Sequence, residues 1–381
     1  MTKIVIVGGG IAGASLAIAL KRQSVDVVLV EKDPHWTPSS SGIFLYANGL
    51  ESVRTLGVLD AVLERGWASD GRNVYLTADG SFITETHYPS RDPARVPPIV
   101  GIKRSDLHRA LADEVQRLGV DIKLGLTVES FDDQGAQVIV RLSDGSEIAC
   151  DGLIGADGIR SSIRERLFGK MTPEFTGFGT WRSVHKKPKE IDVKIMMMGV
   201  GKRLGIMPIS DDQLYIFATT NEPSKPLYDT SRMHEIMREK LAEFKGPAAA
   251  LLDELTSPEG VLYTAVEEMA LPLPWSKGRV LIIGDGAHAC TPYMGQGGAM
   301  ALEDSILLAP QIAASTDLAA TFTAFGALRH ERCSFVRKVS RQVGDAGGKE
   351  LPDDVDARNR RLQTQGQADV DSFYARMFAG T

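Results

Sequence analysis

The sequence begins with a strand of the buried type that runs directly into a glycine-rich turn and an apolar helix. Residues 3–7 read KIVIV, a short β-branched run typical of strands buried in a parallel sheet. The glycines that follow have GxGxxG spacing: Gly8, Gly10 and Gly13. An apolar helix is predicted from Ile11 to Lys21, and a second strand, DVVLV, ends at Glu31. This order predicts a dinucleotide-binding βαβ unit and an α/β fold.

Each part of this unit has a physical task. Gly8 permits a tight turn, Gly10 lets the backbone approach a pyrophosphate, and Gly13 lets helix and strand pack closely. The start of the helix offers free N–H groups and a partial positive charge to the phosphates. Glu31 is placed to bind ribose hydroxyls. The motif suits NAD and FAD equally, and a plain turn without a ligand is the alternative.

Composition narrows the class of protein. A net charge of −6 with 7% aromatic residues gives no support for nucleic-acid binding. The three cysteines have no CxxC spacing, which argues against a disulfide framework or a zinc site and favours a reducing compartment. No segment approaches the roughly 20 uninterrupted apolar residues of a membrane span. We therefore expect a cytoplasmic protein with no metal, membrane or nucleic-acid partner.

A second signal lies in the middle of the chain. A predicted strand ends in Lys103 and Arg104, and a helix follows to about Leu118. Further on, DGLIGADGIRSSIRERL predicts a strand ending at Ala156 and a turn at Asp157 and Gly158 that leads into another helix. Taken alone, Arg104 could be a surface residue and Asp-Gly a common turn dipeptide.

A third signal comes late. The segment RVLIIGDGAH predicts a buried strand with Asp285 at its carboxyl end, where ligands of open α/β sheets bind. The glycines of GQGG then lead into a helix predicted from about Ala299 to Ala313. The free N–H groups at such a helix start face something electron-rich.

Together the three motifs resemble the flavin-dependent aromatic hydroxylases, the single-component class A FAD monooxygenases, over the chain up to about residue 345. The resemblance implies a Rossmann-like FAD-binding domain, an antiparallel-sheet substrate domain and a C-terminal helical tail. The expected divisions are 1–70, 98–172 and 272–345 for the FAD-binding domain, 71–97 and 173–271 for the substrate domain, and 346–381 for the tail.

The resemblance also implies the contacts to FAD. Asp285 would bind the ribityl chain, Arg104 would reach FAD from its helix start, and Asp157 is linked to FAD and to productive NAD(P)H binding. Pro292 would lie beside the isoalloxazine, whose pyrimidine end faces the backbone from Gly295 to Gly298. The full predicted set is Gly8, Gly10, Ile11, Ala12, Gly13, Glu31, Lys32, Arg104, Asp157, Asp285, Pro292, Gly295, Gly297, Gly298 and Ala299.

Two residues of the predicted substrate domain stand out. Arg203 and Tyr215 lie on consecutive strand-like segments separated by PISDD, a plausible hairpin turn. From pattern alone, Arg203 reads as a strand-end charge and Tyr215 as a core aromatic. However, GKRLGIMPISDDQLYIF and GQGGAMALEDS resemble the FAD-dependent urate hydroxylase branch, in which an arginine and a tyrosine at this spacing face the substrate. By that resemblance, Arg203 stabilises a substrate anion and Tyr215 orients the ring.

Three further residues bear on the chemistry. Related pyridine hydroxylases use a histidine after an early GI, where this chain has Phe44, so that mechanism is disfavoured. Tyr293 stands where urate-type enzymes carry a smaller residue, which leaves urate itself open. Phe44 and Tyr293 are predicted to contact the substrate, with hydrophobic packing as the alternative. His288 is a candidate acid–base residue, but membership of the flavin loop is the favoured interpretation.

The expected activity is hydroxylation of a small hydroxylated aromatic or N-heteroaromatic ring, of urate, pyridine or pyrimidine type. The resemblance implies FAD as cofactor, NADH or NADPH and O₂ as co-substrates, and a C4a-hydroperoxyflavin intermediate. The alternatives are a flavoprotein dehydrogenase or reductase, a hydroxybenzoate-type hydroxylase, and a non-catalytic FAD-binding sensor. The polar tail is read as helical and as an interface element, and a homodimer is left open.

Overall fold

The first strand lies inside a six-stranded sheet. A separate seven-stranded sheet lies over the carboxyl ends of the strands of the first sheet. The computed structural model describes residues 2–37 and 41–379, and expectations for residues 1, 38–40, 380 and 381 lie outside that range. The strands are β1 (Lys3–Val7), β2 (Asp26–Glu31), β3 (Gly42–Tyr46), β4 (Trp67–Ser69), β5 (Arg72–Thr77), β6 (Phe82–His87), β7 (Ile99–Lys103), β8 (Asp121–Leu124), β9 (Val128–Asp133), β10 (Val138–Leu142), β11 (Glu147–Cys150), β12 (Gly152–Gly155), β13 (Glu174–Lys186), β14 (Lys194–Met198), β15 (Lys202–Pro208), β16 (Gln213–Asn221), β17 (Leu262–Glu268), β18 (Ser276–Lys277) and β19 (Val280–Ile282).

The helices connect these strands and form most of the last quarter of the chain. They are α1 (Ile11–Arg22), α2 (Ala47–Thr55), α3 (Leu59–Arg65), α4 (Arg104–Arg117), α5 (Ser162–Phe168), α6 (Met233–Lys240), α7 (Pro247–Asp253), α8 (Asp285–His288), α9 (Gly297–Ala313), α10 (Leu318–Gly347) and α11 (Pro352–Ala379). Helix α9 begins two residues before the predicted start, because the glycines at its amino end already adopt helical geometry. None of the helices in the described part of the chain is long and apolar enough to cross a lipid bilayer.

The order of the six-stranded sheet brings the three sequence motifs together. The order is β18-β19-β12-β1-β2-β8, and every pairing from β19 to β8 is parallel. The turns that follow β1, β12 and β19 therefore lie side by side at one edge. The amide of Ala156 donates to the carbonyl of Val7 at 2.8 Å, and the amide of Ile283 donates to that of Gly155 at 3.0 Å. Motifs that are far apart in sequence thus form one edge, as the rule for parallel sheets predicts.

The seven-stranded sheet has the order β17-β13-β16-β15-β14-β5-β6 and is antiparallel except between β14 and β5. Because side chains alternate along a strand, one of its faces is apolar and packs against α6 and α7. That face carries Trp181, Ile195, Met197, Leu204, Ile206, Leu214, Ile216 and Ala218, all in one buried cluster. Its other face turns toward the six-stranded sheet. The predicted α/β class and antiparallel second sheet are confirmed.

A buried group of charges joins the helices behind the six-stranded sheet. On α9, Glu303 and Asp304 are fully buried, and Arg329 of α10 lies between them. Its Nε donates to Asp304 Oδ1 at 2.8 Å, and its Nη1 donates to Glu303 Oε2 at 3.1 Å. Arg332 adds two bonds of 2.7 Å to Glu303. Buried charges of this kind persist only when every one is paired.

The tail is the helix α11, which packs along the edge strand β6 of the seven-stranded sheet. The side-chain amide of Gln367 accepts from the backbone N–H of His87 at 2.7 Å and donates to its carbonyl at 3.0 Å. Arg358 is buried and donates to the carbonyl of Gly199 at 2.9 Å. These bonds fix the tail to the sheet within one chain.

Replacing Arg329 by Met tests the buried charge group. The variant leaves Asp304 and Glu303 with less positive charge in a water-free environment, so we expect the free energy of unfolding to fall by about 3–5 kcal/mol. Urea denaturation would measure the change. As a matched control, Arg361→Met removes an exposed ion pair to Asp369 and should cost less than about 1 kcal/mol. Equal effects of the two substitutions would contradict the assignment.

Candidate active site

A cavity of about 320 Å³ lies between the motif edge of the six-stranded sheet and the inner face of the seven-stranded sheet. Its floor is made by three backbone turns, after β1, β12 and β19. Its roof is made by side chains of β13, β15 and β16. Predicted site residues that line it are Gly10, Ile11, Ala12, Phe44, Arg104, Arg203, Tyr215, Asp285, Pro292, Tyr293, Gly295, Gly297 and Gly298.

The first turn places the start of α1 at the cavity. Gly8 has φ of +101°, and a Cβ there would lie 2.5 Å from the carbonyl oxygen of Ala156. A Cβ on Gly13 would collide with the carbonyl oxygen of Gly8, so this glycine serves helix–strand contact. Gly10 is different, because a Cβ built there has none of the described neighbouring atoms within 4 Å. Space is therefore open in front of the helix start, which has no side-chain cap.

The acidic end of β2 makes a different contact from the predicted one. Glu31 accepts from the amide of Gly9 at 2.6 Å and from that of Asp33 at 2.8 Å, one bond to each carboxylate oxygen. It thus braces the glycine turn, and ribose binding by Glu31 stays a prediction. Its neighbour Lys32 is exposed and is not part of the cavity wall.

The middle motif, which contains Asp157 and Gly158, holds the turn after β12 in place beneath the cavity. Asp157 caps α5, because its Oδ2 accepts from the amides of Ser162 at 2.7 Å and Ile163 at 3.2 Å. Its Oδ1 is buried and forms no hydrogen bond with any residue that the structure describes. Arg164, fully buried, donates to the carbonyl of Gly286 at 2.8 Å and so ties this motif to the late one. Gly158, not Asp157, lines the cavity.

The late motif places the carboxylate of Asp285 at the cavity and buries that of Asp304. Asp285 begins α8 and is exposed on the cavity side. His288 points away, and its Nε2 lies 2.7 Å from Asp304 Oδ2, which also accepts from the amide of Gly284 at 3.0 Å. Burial alone would lower the pKa of His288, but Cys333 and the Asp304 carboxylate raise it well above its usual value. His288 is therefore an ion-pair partner that holds the loop, not a cavity base.

The glycine loop before α9 forms one wall. Gly295 has φ of +62°, and a Cβ there would collide with the ring of Phe44. Gln296 is fully buried, and its Oε1 accepts from Asn48 Nδ2 at 2.9 Å. Gly297 and Gly298 then open α9 with no side-chain cap. Their free N–H groups and the helix dipole favour an electron-rich ligand group.

One predicted loop residue does not reach the cavity wall. Ala299 is fully buried, and a Cβ on Gly49 would come within 2.9 Å of its methyl group. Ala299 therefore packs α9 against α2. It was predicted to contact FAD, but it does not line the cavity.

The roof carries the two residues singled out for the substrate. In the register of β15 and β16, Arg203 pairs with Thr219 and Met207 with Tyr215, so Arg203 and Tyr215 lie on the same sheet face. Arg203 is 9% exposed, and its guanidinium carbon lies 4.2 Å from the ring centroid of Tyr293. Among the described residues no carboxylate pairs with it. Burial lowers the pKa of Arg203, as expected for a cation without a counterion.

Three aromatic rings complete the roof. Phe44 lies 5.3 Å from Phe217 and 6.4 Å from Tyr215, measured between ring centroids, and Tyr215 lies 5.1 Å from Phe217. The ring of Tyr215 covers the backbone of Gly42 so closely that any Cβ there would collide with it. Burial raises the pKa of Tyr215 well above its usual value, so it stays a neutral phenol. These flat walls suit a planar ring.

Arg182 also lines the cavity, and it was not among the residues predicted from the sequence. It lies on β13 opposite Phe217, and burial lowers its pKa. Along FGTWRSVHK residues on both faces of the strand are buried, Thr180 as well as Trp181 and Ser183, so no polar–apolar alternation marks Arg182 in the sequence. The strand itself was not predicted.

The donor set fits FAD. The open helix start at Gly10 can receive a diphosphate, the exposed Asp285 carboxylate can accept bonds from ribityl hydroxyls, and the uncapped α9 faces a flat region of the cavity. The orphaned Oδ1 of Asp157 is a further buried acceptor below the floor.

Comparison with known proteins agrees with this geometry. The model of a family described as FAD binding domain matches residues 1–343. The chain is 33% identical to the 2-heptyl-3-hydroxy-4(1H)-quinolone synthase of Pseudomonas aeruginosa, over 99% of this chain and 98% of that protein. It is 29% identical to the FAD-dependent urate hydroxylase of Mycolicibacterium vanbaalenii, over 80% and 78%. The crystal structure of Klebsiella pneumoniae HpxO with FAD and uric acid has the same fold, with a TM-score of 0.90 at 24% identity, covering 100% of this chain and 97% of that one.

Replacing Gly10 by Ala tests the nucleotide end of the cavity. The added methyl group meets no protein atom but enters the space that a diphosphate needs, so the Kd for FAD should rise roughly tenfold or more, about 1.4 kcal/mol. Calorimetric titration of apo-protein with FAD would measure it. Gly366→Ala on α11, whose Cβ would make an ordinary 3.5 Å contact, is the matched control and should leave the Kd unchanged. An unchanged Kd in the Gly10 variant would show that FAD does not lie there.

Proposed function

This chain belongs to the family described as FAD binding domain, and we propose that it hydroxylates a bicyclic N-heteroaromatic ring bound as an anion. It is an FAD-dependent monooxygenase of the aromatic hydroxylase kind, which confirms the resemblance drawn from its sequence. In this proposal, residues 71–97 and 173–271 form the substrate domain over the FAD-binding part of the chain.

When bound, FAD would take electrons from NAD(P)H and supply activated oxygen from O₂. The chain's own residues have three tasks: to hold the ring flat, to favour its anion, and to keep water out. The walls of Phe44, Phe217 and Tyr293 supply the flat apolar surface. The remaining tasks fall to polar residues of the roof.

Arg203 carries the proposal. It is a buried cation that faces the cavity without a carboxylate partner in the described part of the chain. A ring that has lost a proton would provide the missing negative charge, and a guanidinium can bind it through two parallel N–H groups. Deprotonation also makes the ring more electron-rich, which favours attack on an electrophilic oxygen. Arg203 would therefore assist both binding and reaction.

Tyr215 complements Arg203 on the same face. Because burial keeps its phenol neutral, Tyr215 can donate a hydrogen bond to a ring oxygen but cannot serve as a strong base. The rigid packing of its ring on Gly42 gives that hydrogen bond a fixed direction. We infer that Tyr215 orients the ring, and that Arg182 on the neighbouring strand adds positive charge.

The bicyclic class rests on the relatives. One relative is named for a 4(1H)-quinolone and another for urate, and both names denote fused rings that contain nitrogen. A cavity with three aromatic walls and, among the described residues that line it, no carboxylate beyond Asp285 would suit such a ring in its anionic form. A monocyclic pyridine or benzoate would contact fewer of these walls.

The experiment is a turnover panel with the purified holoenzyme. NADH and NADPH oxidation would be followed with urate, 4(1H)-quinolones, hydroxypyridines and hydroxybenzoates, and the product would be analysed for oxygen derived from ¹⁸O₂. We expect a bicyclic ring to stimulate oxidation most and to gain one oxygen atom. Oxidation without oxygen insertion would indicate a dehydrogenase or reductase, and stimulation only by benzoates would refute the ring class.

Substitutions at the roof test the assigned tasks. Arg203→Met should raise KM for the ring substrate roughly 30-fold to 300-fold, about 2–3.5 kcal/mol, because a charge-assisted bond is lost. Tyr215→Phe should lower kcat and the fraction of NAD(P)H oxidation that yields product, with a smaller effect on KM. Arg141→Met, at an exposed ion pair on β10, is the control and should change neither. An unchanged KM in the Arg203 variant would exclude anion binding by Arg203.

A further inference from the structure

Another buried cation, Lys194, lies on the same face of the seven-stranded sheet as Arg203 and Arg182. Lys194 begins β14, and its side chain shares a face with Met196 and Met198 because directions alternate along the strand. Met198 is the register partner of Arg203 on β15. Lys194 is only 3% exposed and does not itself line the cavity.

The surroundings of Lys194 are aromatic. Its Nζ lies 4.9 Å from the ring centroid of Phe44, 5.4 Å from that of Tyr46 and 4.8 Å from that of Tyr88. It donates to the hydroxyl of Tyr46 at 2.9 Å and to that of Tyr88 at 3.4 Å. The ion pairs of the described residues include none to Lys194. Rings and hydroxyls stabilise an ammonium group in part, but they supply no formal negative charge.

Phe44 separates this cation from the cavity by one ring. The ring contacts Lys194 and also lines the cavity next to Tyr215. The adjacent Asn73, paired with Lys194 in the register of β5 and β14, is fully buried, and neither of its side-chain polar atoms forms a hydrogen bond with the described residues. Lys194 therefore lies in a polar recess with an uncompensated charge, directly behind the ring-binding wall.

We propose that Lys194 is a positioning residue which makes the cavity selective for anionic rings, by adding a buried positive charge behind Phe44 to those of Arg203 and Arg182. This deepens the proposed function and rests on it. Buried cations that have no carboxylate partner among the described residues make the potential at the roof of the cavity more positive, and an anionic ring lowers their energy. A neutral ring of the same shape gains nothing from this charge.

The charge of Lys194 changes near neutral pH. Burial, reinforced by the charge of Arg203, lowers its pKa to about 7. Of the nearby titratable groups, Tyr46 and Tyr88 contact Lys194, and Tyr75 and Tyr374 interact with those two tyrosines. Burial raises the pKa of each of the four. Those phenols stay neutral, and Arg203 stays charged. Between about pH 6 and about pH 8.5, Lys194 is therefore the group in this recess that changes charge.

The test uses a small anion, so it does not depend on knowing the substrate. Quenching of the FAD fluorescence of the holoenzyme by iodide would be compared with quenching by neutral acrylamide. In the wild type, the iodide-to-acrylamide ratio should fall roughly threefold to tenfold from about pH 6 to about pH 8.5. Lys194→Met should give a low ratio at both pH values, and Lys194→Arg a high ratio at both.

Two outcomes would overturn the proposal. One is a Lys194→Met protein whose iodide-to-acrylamide ratio at about pH 6 equals that of the wild type, and the other is a Lys194→Met protein that keeps the wild-type fall. If the turnover panel finds no hydroxylated ring, the proposed function fails while the quenching ratio still reports on Lys194. If it finds one, KM should rise with pH in the wild type and be high throughout in Lys194→Met, with kcat little changed.

The effect of the Lys194 variants on the free energy of unfolding has a predicted direction at each pH. In the folded protein the pKa of Lys194 is about 7, below its ordinary value of 10.5. At pH values between these two, the unfolded chain binds more protons than the folded protein. The contribution of Lys194 to the free energy of unfolding therefore rises with pH across that window. Lys194→Met should be more stable than the wild type at about pH 6 and lose this advantage at high pH. Lys194→Gln is a second neutral variant for the quenching measurement.

Discussion

The carboxylate of Asp304 is the contact on which the arrangement of the cavity depends. It accepts from the amide of Gly284, from His288 and from Arg329, at 3.0, 2.7 and 2.8 Å. Burial opposes its ionisation, but the charges of His288 and Arg329 outweigh burial and lower its pKa to about 2. One side chain of α9 thereby fixes both the turn that presents Asp285 and the helix that follows the glycine loop.

The network reaches further through Glu303, the preceding residue. Glu303 accepts from Asn48 at 3.0 Å, and Asn48 also donates to Gln296 in the glycine loop. Gln296 donates in turn to the hydroxyl of Tyr374 in the tail at 3.4 Å. A path of hydrogen bonds therefore runs from the late motif through the loop to the last helix. Neither Glu303 nor Asp304 touches the cavity, yet their positions determine which backbone groups line it.

The sequence predicted the floor of the site far better than its roof. Gly8, Gly13 and Asp285 could be read from the chain because strand–turn–helix units are local and their glycines have few alternatives. The roof depends on pairing between strands distant in sequence. Arg182 joins the cavity only because β13 pairs with β16, and no local signal gives that pairing. Even Arg203 and Tyr215 needed a resemblance to be chosen over ordinary strand residues.

Lys194 shows a second limit of the same kind. Its segment DVKIMMMGV reads as a strand, and a lysine at the start of a strand is normally solvated. It is buried because Tyr46 and Tyr88 close over it from other parts of the chain, and Tyr374 of the tail packs on both of those rings. The environment of a side chain is a tertiary property, so periodicity could not reveal it.

The amide of Gln367 has a consequence beyond holding the tail in place. The amide hydrogen-bonds to both the N–H and the carbonyl of His87 on the edge strand β6. A further strand paired with this edge would use the same two backbone groups. An unprotected margin of this sort is a template for strand addition between molecules. A single side chain on α11 thus occupies the position from which aggregation by edge pairing would begin, and a chain that lost its tail would expose that position.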